Sequence, residues 1–185
     1  MRLGGWDANA LIDASLQFSE ETKLGPMSSE RAANELREHL RGEVTDGLDV
    51  RGNLDGIESE SRDLAPFMIV EPDRSNRIWS TELFGPIAML TPAETVDEAI
   101  AIANDSPYGL GATVYTDSIE HARRFVAEVE TGMVLVNGPR GSNPALPFGG
   151  VKRSGIGREL GRCGVREFAN EKLVVLPTEF VGAES

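Results

Sequence analysis

The feature that most constrains this sequence is an alternation of short apolar runs and amphipathic segments that begins at Phe67. Apolar runs at 67–70, 87–90, 112–116 and 133–136 are bounded by proline, glycine or polar residues, which is typical of buried strands. Two of the intervening segments carry apolar residues at helical spacing. This order predicts a parallel sheet with crossover helices, so we expect an α/β fold.

Both crossover helices are predicted to begin at capping boxes, the first at Thr95 with Glu98 and the second at Asp117 with Glu120. Each should bury one apolar stripe against the sheet. These stripes are Val96, Ala99, Ile100 and Ala103 in the first helix, and Ile119, Ala122, Val126 and Val129 in the second.

Outside this alternation the sequence predicts simpler segments. Ser28 is expected to cap a helix that runs to about Leu40, with Ala32, Ala33, Leu36 and Leu40 on one face. Residues 42–66 contain four glycines and a polar run, so we interpret them as a loop or connector. The tail is expected to form a short helix near 157–168 and a last strand at 173–176.

Composition limits the classes of function. The 185 residues carry 18 Lys plus Arg against 30 Asp plus Glu, and this net charge of −12 would repel nucleic acid. No apolar run approaches the roughly 18–20 residues that span a bilayer, and no signal-peptide pattern opens the chain, so we expect a cytoplasmic protein without a membrane partner. One cysteine, Cys163, and two distant histidines exclude an internal disulfide and predict no metal site.

Conventional catalytic motifs are scarce in this chain. No Gly-x-Gly-x-x-Gly opens a helix, and no phosphate-binding Gly-Lys-Ser/Thr loop or nucleophile elbow is present. Cys163 follows Arg162, but no histidine base is near it in sequence, and an incidental small residue on a helix is the favoured interpretation. The segment 146–159 is more informative, because its four glycines predict either a flexible surface loop or a backbone that approaches a ligand closely.

That segment, LPFGGVKRSGIGRE, resembles the carboxy-terminal signature of the aldehyde dehydrogenase superfamily. TELFGP at 81–86 resembles the family's Glu-Ile/Leu-Phe-Gly-Pro element. Four further segments follow the family in order and spacing: LGPMSSE at 24–30, DEAI at 97–100, NDSPYGL at 104–110 and TGMV at 131–134. The tail GVREFANEK at 164–172 resembles the succinate-semialdehyde dehydrogenase branch. The resemblance covers about Lys23 to Leu176 and implies part of an aldehyde dehydrogenase catalytic domain.

The resemblance assigns cofactor roles to two residues. Glu82 stands where the family's glutamate holds the nicotinamide-ribose hydroxyls, a task suited to a carboxylate; without the resemblance it would be a solvated loop residue. Phe84 stands where an aromatic packs near the nicotinamide ring, although a core phenylalanine would fit the pattern as well. The implied cofactor is NAD or NADP.

Four residues receive substrate or proton-transfer roles. Phe148 matches an aromatic at the inner end of the aldehyde tunnel. Glu159 matches a glutamate assigned to a proton relay, while a carboxylate that favours a helix N-terminus would explain it equally well. Arg140 and Ser142 lie in a loop that varies with substrate in the family. An arginine there would pair with a distal carboxylate of the substrate, or it would simply be exposed to solvent.

The resemblance also implies that family chemistry is incomplete. In the family a cysteine thiolate attacks the aldehyde, a hydride passes to the cofactor and a glutamate activates water. The opening segment resembles the one that carries this glutamate, and Arg2, which cannot act as a base, stands in its place. The family's cysteine motif is missing, and Cys163 lies inside a different motif. This implies a remnant of the general-base segment at 1–22, a partial catalytic domain at 23–170, and an oligomerisation strand with tail at 171–185.

Three interpretations follow. The favoured one is a truncated, internally deleted aldehyde dehydrogenase that is inactive alone. The second is a non-catalytic oligomerisation or regulatory subunit, in which Lys172–Leu176 adds a strand to a neighbouring subunit of a homo- or hetero-oligomer. The third is one half of a split enzyme, in which a separate chain supplies the cysteine and the cofactor fold. The resemblance implies a small aldehyde as the substrate.

Overall fold

A computed structural model describes residues 8–21, 24–45, 47–54, 57, 61–138, 141 and 143–177. The chain forms two compact units, Met1–Ser106 and Pro107–Ser185. Their boundary lies inside the segment 23–170 that the resemblance assigns to one partial catalytic domain. No helix among the described residues is long and apolar enough to cross a membrane.

The first unit consists of a three-stranded sheet and several helices. Its elements are α1 (Ala8–Glu21), α2 (Glu30–Thr45), β1 (Asp49–Gly52), β2 (Phe67–Val70), a 3₁₀ helix (Arg77–Ser80), β3 (Ile87–Leu90) and α3 (Val96–Asn104). The strand order is β1-β2-β3. β2 and β3 run parallel with Phe67 opposite Ile87, and β1 is antiparallel to β2 with Asp49 opposite Val70.

The core of this unit lies between α2, the central strand β2 and the 3₁₀ helix. Its buried cluster is Leu36, Leu40, Val50, Ile57, Leu64, Phe67, Ile69 and Ile78. Three consecutive residues of β2 are buried, as expected of a central strand covered on both faces. Arg37 is also buried, and its guanidinium donates hydrogen bonds to the carbonyls of Ser61 and Asp63. These bonds hold the segment that precedes β2 against α2.

The prediction that 42–66 is a loop is wrong in part, because α2 continues to Thr45 and β1 pairs with β2. Gly47, at φ +84°, ends α2: its N–H donates to the Val44 carbonyl and the Leu48 N–H to the Glu43 carbonyl. This is the left-handed helix terminator that glycine adopts without strain. Gly47, one of the glycines that suggested a loop, therefore separates two regular elements.

The start of α2 also differs from the prediction by one residue. The Ser29 hydroxyl, rather than that of Ser28, accepts a hydrogen bond from the Ala32 N–H. The box at α3 is confirmed in part: the Thr95 hydroxyl accepts from the Glu98 N–H, while the Glu98 carboxylate accepts from the N–H of Glu94 rather than from that of Thr95.

The second unit is built from short elements. These are β4 (Tyr108–Gly109), β5 (Gly111–Val114), α4 (Ile119–Glu128), β6 (Met133–Val136), β7 (Val151–Lys152) and α5 (Gly161–Glu167). β5 and β6 pair in parallel, with α4 as the crossover, and β4 pairs with β7 in antiparallel fashion. The parallel pairs in both units, with α4 as crossover, confirm the α/β class.

Three predictions for this unit are wrong in detail. α4 is capped by Ser118, whose hydroxyl accepts from the His121 N–H, and not by Asp117. Half of its predicted buried stripe is exposed, since Ile119 is 68% and Val126 56% exposed.

The third error concerns the tail. The described residues 171–177 have no regular secondary structure, so no strand forms at 173–176. A strand needs a partner edge for its hydrogen bonds, and this segment pairs with none among the described residues. The helix before it is also shorter than expected, and begins at Gly161.

Candidate functional site

The first candidate region is the loop at 81–86, which carries Glu82 and Phe84. At its start the Thr81 N–H donates to the Ile78 carbonyl, and the Thr81 hydroxyl donates to that of Arg77. At its end the Pro86 carbonyl accepts a hydrogen bond, at 2.9 Å, from the N–H of Phe67 in β2. The loop is thus fixed at both ends by the 3₁₀ helix and the sheet.

Gly85 permits this loop to lie against α2. A Cβ at Gly85 would overlap Cδ2 of Leu36 and would lie 3.5 Å from Cε of Met27. Leu36 belongs to the buried core, so it has little room to move. The glycine of the 81–86 motif is therefore required by packing.

Glu82 and Phe84 project from this anchored loop into solvent. The Phe84 ring is 77% exposed, so the alternative that it is a core phenylalanine is wrong. Glu82 is exposed, and its carboxylate has no hydrogen bond or ion pair within the described part of the chain. An unpaired carboxylate can accept two hydroxyl hydrogen bonds, and an exposed ring can cover a flat heterocycle. These two residues fit the nicotinamide-ribose end of NAD or NADP.

The second candidate region is the glycine-rich segment, where the structure joins two predicted site residues. The Phe148 N–H donates to the Glu159 carbonyl and the Glu159 N–H donates to the Phe148 carbonyl, both at 2.8 Å. This antiparallel bridge closes residues 149–158 into a loop. Phe148 and Glu159, eleven positions apart in sequence, are therefore adjacent in the fold.

Arg158 holds this loop closed, a role that sequence reasoning did not assign. Its Nη1 donates to the carbonyls of Gly150 and Gly157, at 2.8 and 2.7 Å. A Cβ at Gly149, which has φ +154°, would lie 2.8 Å from the Gly157 carbonyl oxygen and 3.1 Å from Cδ of Arg158. An arginine directly after a glycine-rich run was the available signal, because such a loop has free carbonyls for a guanidinium to bind.

A cleft of about 350 Å³ opens beside this bridge. It is lined by Leu110, Phe148, Gly149, Gly150, Ser154, Gly155, Ile156, Gly157, Arg158, Glu159, Gly164, Glu167 and Phe168. The lining includes two acidic residues, Glu159 and Glu167, whereas the Arg158 guanidinium is engaged by the loop carbonyls. Glu167 was not anticipated from the sequence. The lining of the cleft therefore combines the aromatic residues Phe148 and Phe168 with two acidic residues.

The remaining predicted site residues are not part of these arrangements. Arg2, Arg140 and Ser142 lie outside the described residues. Cys163 is exposed on α5 and is absent from the cleft lining. Among the described residues no group of three His, Cys, Asp or Glu side chains is placed to hold a metal ion.

Comparison with known proteins agrees with these motifs. The profile of the aldehyde dehydrogenase family matches residues 9–174. Succinate-semialdehyde dehydrogenase [NADP(+)] of Deinococcus radiodurans is 41% identical over 159 residues, which are 85% of this chain and 33% of that enzyme. The corresponding Mycobacterium ulcerans enzyme is 36% identical over 83% of this chain, which corresponds to 34% of the length of that enzyme. The chain thus spans about a third of the length of the curated relatives it matches.

Solved structures show the same relation. Gox0499, studied for cofactor and substrate selection, superposes with a TM-score of 0.84 at 33% identity, covering 91% of this chain and 39% of that one. Succinic semialdehyde dehydrogenase from Streptococcus pyogenes, solved with NADP+, superposes with a TM-score of 0.77 at 37% identity. The match covers 85% of this chain and 35% of that one. The family match, the two motif regions and the shared fold lead to one conclusion: this chain belongs to the aldehyde dehydrogenase family.

Proposed function

We propose that this chain takes part in the NADP(+)-dependent oxidation of a small aldehyde of the succinate-semialdehyde type, and that it does not complete that reaction alone. The observation that carries the proposal is the bridge that sets Phe148 beside Glu159 at a solvent-open cleft. The names of the relatives support the choice of substrate class and of NADP over NAD.

In this proposal the loop at 81–86 binds the cofactor. The Glu82 carboxylate accepts hydrogen bonds from the two ribose hydroxyls, and the Phe84 ring packs against the nicotinamide. NADP+, when bound, supplies the acceptor for the aldehyde hydride. The fixed ends of the loop reduce the entropy lost when these side chains meet a ligand.

The cleft in the second unit handles the aldehyde. Phe148 covers its apolar part, and Glu159, a residue that lines the open cleft, passes a proton to or from solvent. Arg140 and Ser142 are assigned to the substrate loop, where Arg140 pairs with the distal carboxylate of the substrate.

Turnover by this chain alone is not expected, because the oxidation proceeds through a thiol adduct of the aldehyde. Cys163 is the single cysteine of the 185 residues, and it is exposed on α5 outside the cleft lining. In addition, Arg2 stands at the position of the general base and cannot accept a proton near neutral pH.

The test is NADPH formation at 340 nm from the purified chain with succinate semialdehyde, with NAD+ in a parallel assay and Cys163→Ala as the control. We expect no turnover by either protein. Turnover that Cys163→Ala abolishes would overturn the proposal, because Cys163 would then be the nucleophile. NADP+ binding that is lost in Glu82→Gln but kept in Glu94→Gln, another exposed carboxylate of the same unit, would support the cofactor assignment.

A second candidate function, a subunit that joins an oligomer, is favoured by the tail. Leu173 is 89% and Val175 81% exposed in a segment without regular structure. Lys172–Leu176 would gain backbone hydrogen bonds and apolar contacts by adding to a neighbouring subunit's sheet. Deletion of 172–176 should then abolish co-purification with an intact relative and leave NADP+ binding unchanged.

A further inference from the structure

A second cleft, of about 300 Å³, lies in the first unit. It opens at the carboxyl ends of β3 and α3, beside the 3₁₀ helix. Its lining is Trp79, Met89, Thr91, Ile102, Asp105 and Ser106. Neither Glu82 nor Phe84 belongs to this lining, so the cleft is a candidate site for a different ligand.

The Trp79 indole is held in place at this cleft. Its Nε1–H donates to the Asp105 carbonyl, which ties the 3₁₀ helix to the end of α3. The Asp105 N–H in turn donates to the carbonyls of Ala101 and Ile102. An indole face attracts a cation through its quadrupole, and the carbonyl end of a helix does so through its partial negative charge. The aromatic residue and the helix end therefore favour the same kind of ligand.

The formal charges around the cleft have the same preference. Asp105 carries the only formal charge among the described residues that line it. The last turn of α3 contains no basic residue. Acidic residues outnumber basic ones within residues 1–106, and this unit accounts for the whole net charge of −12. A potential of this sign raises the local concentration of cations and repels anions.

The chain places a cation of its own at this position. The Arg74 guanidinium lies 5.7 Å from the centroid of the Trp79 ring, and its Nη1 lies 3.7 Å from Oδ2 of Asp105. Both distances are near the outer limits of a cation–π contact, about 6 Å, and of an ion pair, about 4 Å. The Arg74 and Asp105 side chains are 47% and 51% exposed, so their pairing contributes little free energy. A ligand that approaches both groups more closely can displace this guanidinium.

We propose that the cleft binds a small organic cation, an amidinium, guanidinium or substituted ammonium group on an apolar body, which takes the place of Arg74. The charged group stacks on Trp79 and pairs with the Asp105 carboxylate. The apolar body contacts Met89 and Ile102, two apolar residues of the lining. This site is independent of the proposed oxidation, because none of the residues assigned to the cofactor or the aldehyde takes part in it.

The first test titrates the full 185-residue chain with benzamidinium, and with benzamide as a neutral molecule of similar shape. The chain contains two tryptophans, so Trp6 is replaced by phenylalanine in every protein and the emission then reports Trp79 alone. We expect a saturable change of emission with benzamidinium, and binding of benzamide that is at least about threefold weaker. Equal affinities, or no saturable change with benzamidinium, would overturn the proposal.

Two pairs of variants test the residues of the site. Asp105→Asn should weaken benzamidinium binding at least about threefold, whereas Asp97→Asn, in the first turn of the same helix, should change it little. Arg74→Met removes the competing cation and should tighten binding by about threefold, with Arg77→Met as the control. All four side chains are exposed, so circular dichroism should show unchanged folding. Equal effects within either pair, or weaker binding in Arg74→Met, would contradict the proposal.

Competition distinguishes this site from the cofactor site and from a site for a protein partner. Saturating NADP+ should leave the affinity for benzamidinium unchanged, and competition between the two would mean that the cation binds in the cofactor site. A capped Gly-Arg-Gly peptide should bind more weakly than benzamidinium, because its aliphatic stem offers less apolar surface than an aromatic ring. Tighter binding of the peptide would make an arginine of a protein partner the ligand. Either of these contrary results would overturn the proposal.

Discussion

Helices α2 and α4 are both amphipathic, yet they differ in how much of their apolar face is covered. In α2 the residues Ala33, Leu36 and Leu40 are 0%, 4% and 0% exposed, because the helix packs in the core around a three-stranded sheet. In α4 half of the stripe is exposed above a two-stranded pair. Periodicity thus specifies a helix and its apolar face, whereas the number of strands available decides how much of that face is buried.

The largest expected effect comes from truncation in the α2 core. Leu40→Ala removes a fully buried side chain and should lower the free energy of unfolding by about 2–5 kcal/mol. Ile119→Ala, on the exposed side of α4, should cost less than about 1 kcal/mol. Urea denaturation followed by circular dichroism measures both. Equal losses would mean that the two helices are buried to the same extent.

The glycine loop of the second unit is closed by hydrogen bonds from Arg158. Arg158→Met keeps the aliphatic stem but removes both donors to the Gly150 and Gly157 carbonyls, with an expected loss of about 1–3 kcal/mol. Hydrogen exchange at the Phe148 and Glu159 amides should accelerate, while exchange in β2 should not change. Unchanged protection at Phe148 would contradict a closing role for Arg158.

The cap of α2 provides a smaller and more local comparison. Ser29→Ala removes the acceptor for the Ala32 N–H and should cost about 1 kcal/mol. Ser28→Ala is the matched control and should change the unfolding midpoint little. If thermal unfolding showed a larger loss for Ser28→Ala than for Ser29→Ala, the cap would be Ser28, the position that the sequence predicts.

The smallest expected effect is a pH dependence in the first unit. A hydrogen bond from the Arg51 side chain holds the pKa of Asp49 below its usual 3.8. A carboxyl whose folded pKa is depressed stabilises the fold above the unfolded pKa, and that contribution is lost as the pH falls through the folded value. Both side chains are partly exposed, so the effect is small.

The measurement is the difference in unfolding free energy between the natural chain and Asp49→Asn. It should be larger at pH 6 than at pH 2.5. A difference that grows as the pH falls would contradict the assigned direction of the pKa shift.

Much of the fold could be predicted because its signals are local. The strands at 67–70, 87–90 and 133–136 have the predicted bounds, since each is a continuous apolar run between residues that end a strand. Gly47 shows the limit of such signals, because glycine suits a loop and a helix terminus equally well. The caps Ser29 and Ser118 each lie one residue beyond the predicted start, since adjacent polar residues offer similar acceptors.

For the candidate site, individual residues could be predicted but their arrangement could not. Motifs identified Glu82, Phe84, Phe148 and Glu159, because contiguous glycines and aromatics are unusual enough to be recognised in one sequence. They did not predict that Phe148 and Glu159 pair, that Arg158 closes the loop between them, or that Glu167 shares the cleft. Those relations depend on which backbone groups meet after the chain has turned.

The sequence by itself determined the α/β class and most of the strands, because these follow from residue types at short separations, and its motifs identified the family by their resemblance. The tertiary structure decided which apolar residues are covered, where Ile119 and Val126 differ from Leu36 and Leu40. It also decided which carbonyls Arg158 binds. The physical reason is that burial and hydrogen bonding are properties of pairs of groups, and the partner's position is set by the whole fold.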